Sequence, residues 1–252
     1  MNNTIDEIKN YVKELKIPGI TRDLKASIEE AYLLDKSYED FLKELFEKAY
    51  DVRKENGKKN RIRNAKFPYK KYLEELRVEY LPADAKAKLK ELKTLKFISE
   101  SRNIILAGNP GTGKTHIGIG LGIAACEKGH KVYFTTIPSL INLLKESRSQ
   151  RTLTSIERKF EKYDLVVADE LGYISFDKEG GELLFQFLSL RAERKATIVT
   201  TNLSFDRWNE VFNDEILTAA LIDRLTHKSY VINMNGNSYR IQETREWLEN
   251  TK

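Results

Sequence analysis

The octapeptide Gly108-Asn109-Pro110-Gly111-Thr112-Gly113-Lys114-Thr115 constrains this chain more than any other stretch. It has the spacing G-x-x-x-x-G-K-[ST], in which glycines allow backbone N–H groups to approach a polyphosphate that a Cβ would hold off. Lys114 can then reach the β- and γ-phosphates of a triphosphate, and the Thr115 hydroxyl can ligate Mg²⁺. Residues 103–107, Asn-Ile-Ile-Leu-Ala, form a short apolar run suited to a buried parallel strand. From Thr115 through Cys126 the sequence reads as the helix that follows, and a helix N-terminus attracts anions. Strand, glycine loop and helix in this order predict a parallel α/β layer with the phosphate site at the end of the first strand.

The rest of the C-terminal half keeps that pattern. Further strands are predicted over residues 131–135, 165–168, 196–200 and 230–233, with helices over 115–128, 138–147, 152–160, 180–192 and 216–225, an alternation that builds a parallel sheet covered on both faces. Residues 165–170, Leu-Val-Val-Ala-Asp-Glu, form an apolar strand ending in two acids. Carboxylates at the end of a buried strand cost desolvation unless a metal or partner compensates. Asp169 is therefore expected to hold Mg²⁺, directly or through water, and Glu170 to orient and polarise the attacking water. Asn202 ends another apolar strand. Strand C-termini line the ligand crevice of a parallel sheet, so its amide is placed to meet the γ-phosphate or the water.

The N-terminal part is different. Ile5, Ile8, Val12 and Leu15 share a helical face behind a Thr4–Glu7 capping box. A second helix is expected from Thr21, and a third carries Phe41, Leu42, Leu45, Phe46, Ala49 and Tyr50 on one packing stripe. Residues 53–71 then hold nine cations (Arg53, Lys54, Lys58, Lys59, Arg61, Arg63, Lys66, Lys70 and Lys71) and a single acid, Glu55. The whole chain of 252 residues carries a net charge of only +5, so the excess is local. A solvated face alternates its signs. Positive charge without partners at this density suits phosphate contacts, and Arg53 through Lys66 are the expected nucleic-acid contacts. Phe67-Pro68 is expected to separate two short helices, and residues 73–101 to form linker helices with Leu89, Leu92, Leu95 and Ile98 at intervals of three. The expected domains are 1–66, helical, for DNA binding and assembly; 67–100, linker; and 101–252, nucleotide-binding. One cysteine, Cys126, excludes an internal disulfide. Its place on an apolar helix face marks it as a buried structural thiol. No signal peptide or apolar run of transmembrane length is present, so a cytoplasmic location is expected.

Several short stretches carry a resemblance: Gly108 through His116, residues 168–173 (Ala-Asp-Glu-Leu-Gly-Tyr), 182–185 (Glu-Leu-Leu-Phe), 200–202 (Thr-Thr-Asn), 205–208 (Phe-Asp-Arg-Trp), 222–227 (Ile-Asp-Arg-Leu-Thr-His), 238–240 (Ser-Tyr-Arg) and 61–68 (Arg-Ile-Arg-Asn-Ala-Lys-Phe-Pro). In these the chain resembles the AAA+ ATPases, and within them the IstB-like helper ATPases of bacterial insertion sequences. It is similar more loosely to DnaC-type helicase loaders. The resemblance implies an AAA+ core with ATP and Mg²⁺ as cofactors, and extends the nucleotide site to His116. It makes Arg224 an arginine finger reaching a neighbouring subunit's γ-phosphate, although the residues alone also allow an intrahelical pair with Asp223. It makes Arg240 a second phosphate sensor. Only twelve residues follow Arg240, so no C-terminal lid bundle is expected and a neighbouring subunit could cap the nucleotide. The basic stretch with Lys145, Arg148 and Arg151 resembles an insertion that contacts DNA in initiator-type relatives. A solvated helix paired through Glu146 and Glu157 stays open as its other reading.

The expectation is thus an ATPase that forms homo-oligomers with ATP on duplex DNA and presents target DNA to a transposase, or activates it. A helicase loader is the closest alternative. A P-loop kinase of a small metabolite would leave the basic window unexplained, and a module without turnover would not need Glu170 and Asn202.

Overall fold

The computed structural model describes residues 2–17, 19–21 and 23–250. The chain separates into two compact units, Met1–Asn60 and Arg61–Lys252.

In the first unit, helices α1 (Asn2–Glu14), α2 (Leu24–Leu33) and the greater part of α3 (Tyr38–Asn64) enclose a small core of Val12, Ile20, Leu24 and Ala49. Ile5, Ile8, Ile17, Ile28 and Leu45 pack against it. The expected Thr4–Glu7 capping box falls inside α1, which already begins at Asn2. The predicted stripe of α3 is split. Ala49 is buried and Phe41 and Leu45 half-buried, whereas Leu42, Phe46 and Tyr50 are exposed.

The second unit is a three-layer α/β structure. Its five strands are β1 (Ile104–Ala107), β2 (Val132–Thr136), β3 (Leu165–Leu171), β4 (Ala196–Thr201) and β5 (Tyr230–Asn233), in the order β2-β3-β4-β1-β5. All pairs are parallel. Their apolar side chains alternate between two cores, as the two-residue period of a strand requires. Ile104, Leu106, Val167 and Ile198 face one core; Ile105, Val166, Ala168 and Val199 face the other. Helices α6 (Lys114–Glu127), α7 (Ile137–Ser149), α8 (Leu153–Glu161), α9 (Lys178–Arg191), α10 (Asn209–Phe212) and α11 (Glu215–Thr226) connect the strands, and α12 (Tyr239–Asn250) follows β5. Cys126 lies fully buried on α6, and burial pushes its thiol up to about 12, as befits a structural residue.

The stretch expected to be linker helices differs. After α3 come two 3₁₀ turns, Leu73–Glu75 and Val78–Tyr80, then α4 (Ala83–Leu92) and α5 (Lys96–Ser99). Leu95, in the left-handed region at φ +61°, breaks the predicted run. Leu89, Leu92, Leu95 and Ile98 are all buried, and the stretch forms part of the second unit's core. Its residues reach the P-loop helix through missing side chains. A Cβ on Gly120 would lie 2.6 Å from Leu73, and one on Gly122 2.8 Å from the Phe67 ring.

Candidate active site

Strand β1 delivers the chain into the phosphate loop. Two of the loop's glycines are required by close approach. A Cβ on Gly108 would overlap the backbone of Met234 and Asn235, and one on Gly111 the Ser238 hydroxyl. Both also have positive φ, +153° and +78°, which side chains rarely adopt. The loop is further joined to the segment after β5 by the Tyr239 N–H, which donates to the Gly111 carbonyl at 2.9 Å. Asn109 and Pro110 are exposed at its tip, and the buried Thr112 donates its hydroxyl to the Asn109 carbonyl at 2.9 Å.

Lys114, only 7% exposed, donates to the Gly108 and Asn109 carbonyls at 2.6 Å each. Burial lowers its ammonium pKa to about 8, with Arg240 adding to the effect and Asp169 opposing it. The sign of the consequence is fixed. The charged form is the one that attracts phosphate, and it prevails below about pH 8. ATP affinity should therefore be level near pH 7 and fall as pH rises through 8 toward 9.5, with proton uptake on binding in that window. Isothermal titration in buffers of different ionisation enthalpy measures both quantities. An affinity flat to pH 9.5 would remove Lys114 from the phosphate contacts.

The carboxylates stand one strand away. Strand β4 lies between β1 and β3, and its Thr200 joins the two sides. The Thr200 hydroxyl donates to Asp169, and the Glu170 N–H donates to the same hydroxyl at 3.0 Å. Thr115, in the first turn of α6, places its hydroxyl 3.1 Å from both Asp169 oxygens. Burial raises the Asp169 pKa, opposed by the Thr200 and Thr115 hydrogen bonds and then by Lys114. Glu170 is also raised, by burial and then by Asp169. The β3–β4 register shifts between Ala168 and Leu171, and Glu170 sits at φ +69°. For a non-glycine residue this conformation costs energy and occurs preferentially at functional sites. The side-chain oxygen of Asn202 is buried without a hydrogen-bond partner among the described residues, and lies 3.1 Å from where a Gly172 Cβ would be.

A recess of about 280 Å³ runs along the loop, lined by Gly111 through His116, Leu76, Arg77, Tyr80, Leu81, Tyr239 and Arg240, among others. Leu76, Leu81 and the tyrosines give it an apolar, aromatic wall that a purine base can fill. The Arg77 guanidinium lies 5.7 Å from the Tyr239 ring centroid, and Tyr80 donates to Glu246 at 3.2 Å, which ties α12 across the recess. Arg240, in the first turn of α12, lines the same recess, and its charge is felt at Lys114 and Glu170. His116 also borders it, but its Nε2 hydrogen-bonds the Tyr72 carbonyl at 2.8 Å and therefore carries the proton.

Arg224 lies elsewhere. It is exposed on α11, with its guanidinium 5.1 Å from the Phe185 centroid, in a separate recess with Glu182, Gln186 and Leu217. It makes no ion pair with Asp223 or any other described residue. Among the basic residues, Arg53, Lys54, Lys59, Arg63 and Lys66 are exposed and Lys58 is half-buried. Lys58 and Lys59 share Glu55, at 3.5 and 4.0 Å. Arg61 donates to the Cys126 carbonyl at 2.6 Å, at the end of α6. Lys145 and Arg148 pair not with Glu146 and Glu157 but with Asp177 and Glu179, at 2.5 and 3.5 Å. These bonds join α7 to the start of α9. Arg151 is exposed.

Sequence reasoning missed Thr200, Arg77 and the recess tyrosines. The adjacency of Thr200 to Asn202 at a strand end was the available signal for the first. Arg77 and Tyr80 come from the expected linker, where nothing local marks them, and Tyr239 stands in the Ser-Tyr-Arg stretch of residues 238–240.

A parallel sheet with a phosphate loop after its first strand, two carboxylates at the end of β3 and polar residues at the end of β4 defines a P-loop ATPase of the AAA+ class. Within that class the chain belongs to the family described as IstB-like ATP binding protein, whose profile matches residues 10–247. It is 34% identical to the insertion sequence IS5376 putative ATP-binding protein of Geobacillus stearothermophilus, over 98% of each chain. Against the insertion sequence IS21 putative ATP-binding protein of Pseudomonas aeruginosa it is 32% identical, over 95% of this chain and 91% of the relative. Among solved structures, the DnaC helicase loader superposes at a TM-score of 0.51 with 20% identity, over 61% of this chain and 91% of the other. AMPPCP-bound DnaA from Aquifex aeolicus superposes at 0.56 with 18% identity, over 73% and 56%. At such identities these likenesses concern the fold. The expected α/β AAA+ core and ATP-binding activity stand, and this is an ATPase associated with transposition. No described helix is long and apolar enough to cross a membrane.

Proposed function

We propose that this ATPase assembles as a homo-oligomer on duplex DNA when ATP is bound, and presents that DNA to a partner transposase or activates it. Insertion-sequence relatives over nearly the whole chain support the transposase as partner, in preference to the replicative helicase of a loader. In the ATPase cycle Lys114 holds the β- and γ-phosphates. Glu170 takes up the proton of the attacking water, and Asn202, with its unpaired oxygen, orients that water. Asp169 and Thr115 are hard oxygen donors on one side of the loop, the set that Mg²⁺ takes together with phosphate oxygens and water. When bound, Mg²⁺ would neutralise charge on the phosphates. Arg240 supplies a cation from the same chain, and Arg224 one from the neighbouring chain.

The observation that carries the DNA reading is the cationic run of residues 53–66 with Glu55 as its only acid. Lys58 and Lys59 share that one acid, whereas Lys145 and Arg148 each have their own, Asp177 and Glu179. The test replaces Arg53, Lys54, Lys58 and Lys59 with Ala, leaving Arg61 on its carbonyl. Duplex affinity should fall on every sequence alike. The slope of log affinity against log salt should flatten by about 0.9 for each phosphate no longer neutralised. ATPase activity without DNA should stay near wild type. Unchanged affinity and slope would make the run a solvated face and shift the assignment to Arg151 and its neighbours.

A further inference from the structure

We propose that Tyr69 is a γ-phosphate contact of this ATPase, its phenol donating to the terminal phosphate of ATP from a strap, residues 67–73, laid along the P-loop helix. The proposal rests on the ATPase assignment and is independent of the DNA reading.

The strap is fixed on both sides of Tyr69, and each time to α6. Before it, the Phe67 ring occupies the space left by Gly122. After it, the Tyr72 carbonyl accepts from His116 at 2.8 Å, and Leu73 covers Gly120. Of the intervening residues, Tyr69 and Lys71 line the nucleotide recess together with Lys114, Thr115, Tyr173 and Arg240. The position of Tyr69 is therefore set by the helix whose first turn carries the phosphate-binding groups.

Four tyrosines line this recess, and their surroundings differ. Tyr80 donates to Glu246 and Tyr239 to Glu243, at 3.2 and 3.3 Å. The Tyr69 hydroxyl has no hydrogen-bond partner among the described residues, and the side chain is 48% exposed. The charges at Tyr239 are Glu243, Arg77 and Glu246. Tyr69 instead lies in the field of Asp169, Arg240 and Glu170. It sits on the strap fixed to α6, whose first turn carries Lys114 and Thr115, whereas the phenols of Tyr80 and Tyr239 are engaged by Glu246 and Glu243 of α12. Burial, then Asp169 and Glu170, hold its phenol above the usual range, so at neutral pH it keeps its proton and donates. Its hydroxyl makes no hydrogen bond to a described residue, and a terminal phosphate oxygen in the recess would give it an acceptor. ADP supplies none there.

The Tyr69→Phe chain removes the hydroxyl and keeps the ring. Its affinity for a non-hydrolysable ATP analogue should fall about tenfold to a hundredfold, the worth of one hydrogen bond to a charged acceptor, with ADP affinity changed less than about twofold. Its unfolding temperature without nucleotide should match wild type. Tyr80→Phe should shift both nucleotides alike, because its phenol is already engaged by Glu246. In the wild type, the analogue should slow tryptic cleavage after Lys70 and Lys71 more than ADP does, and Tyr69→Phe should abolish that difference. A Tyr69→Phe chain with the wild-type preference for the analogue over ADP overturns the proposal, as does an equal loss for both nucleotides. Either result leaves the ATPase assignment intact, since that would fail only if wild type itself neither bound nor hydrolysed ATP.

Discussion

Glu170→Gln should bind ATP with near wild-type affinity and hydrolyse it at least about a hundredfold more slowly, the usual scale for loss of a positioned general base. The expectation follows from what the substitution keeps. The Glu170 N–H to Thr200 bond is made by the backbone, and Asp169 retains its contacts with Thr200 and Thr115. Gln has nearly the same shape and can occupy the same left-handed backbone at a similar cost. Only the charge that polarises water is removed. Assemblies on DNA should outlast those of the wild type, because the ATP that holds them is not consumed. Single-turnover hydrolysis, measured beside nucleotide affinity, separates the two effects. Wild-type turnover by this variant would take Glu170 out of the chemistry.

The second large effect concerns Arg224. Arginine fingers contribute about 10³- to 10⁵-fold to turnover, so Arg224→Ala should be nearly inactive while still binding ATP. Its own chain gives Arg224 no catalytic partner. It lines a recess with Phe185, Glu182 and Leu217, whereas Lys114 and Arg240 line another. Within its own chain the guanidinium rests on the Phe185 ring, a cation–π pair that at an exposed site is worth about 0.5–1 kcal/mol. Stability should therefore barely change. A head-to-tail assembly, in which one face of each chain meets a different face of the next, is the arrangement that lets Arg224 work on a neighbour's ATP.

The features legible in the sequence were those written in contiguous residues. The phosphate loop, its strand and its helix appear where expected, and β5 matches the predicted 230–233 to the residue. Asp169 of β3 is brought beside Thr115. What was not legible depends on residues far apart in the chain. Leucines at intervals of three between 89 and 98 read as one helix, yet Leu95 takes a left-handed conformation and all of them serve the sheet's core. Phe67 and Leu73 lie where they do because Gly122 and Gly120, about fifty residues later, leave room for them. The partners of Lys145 and Arg148 are on α9 and at its N-cap, about thirty residues later, and not the nearby Glu146 and Glu157 of the solvated-helix reading. Arg191 had no signal at all. It is buried and its pKa lowered to about 10 by burial, with its guanidinium donating to the Phe160, Tyr163 and Ala196 carbonyls and to Thr197. It joins α8, α9 and β4 without a counter-charge in contact.

In the proposed assembly one chain's ATP is completed by its neighbour. ATPase activity of an equal mixture of Arg224→Ala and Lys114→Ala chains measures it directly. Each is expected to be inactive alone, the first for want of a finger and the second for want of a phosphate-binding ammonium. Mixed at random, about a quarter of head-to-tail interfaces would join an intact Lys114 to an intact Arg224. The mixture should therefore recover up to about a quarter of wild-type turnover on DNA, rising with total protein concentration as expected of an assembly. A mixture as inactive as its parts, or an Arg224→Ala chain as active as wild type, would contradict the account.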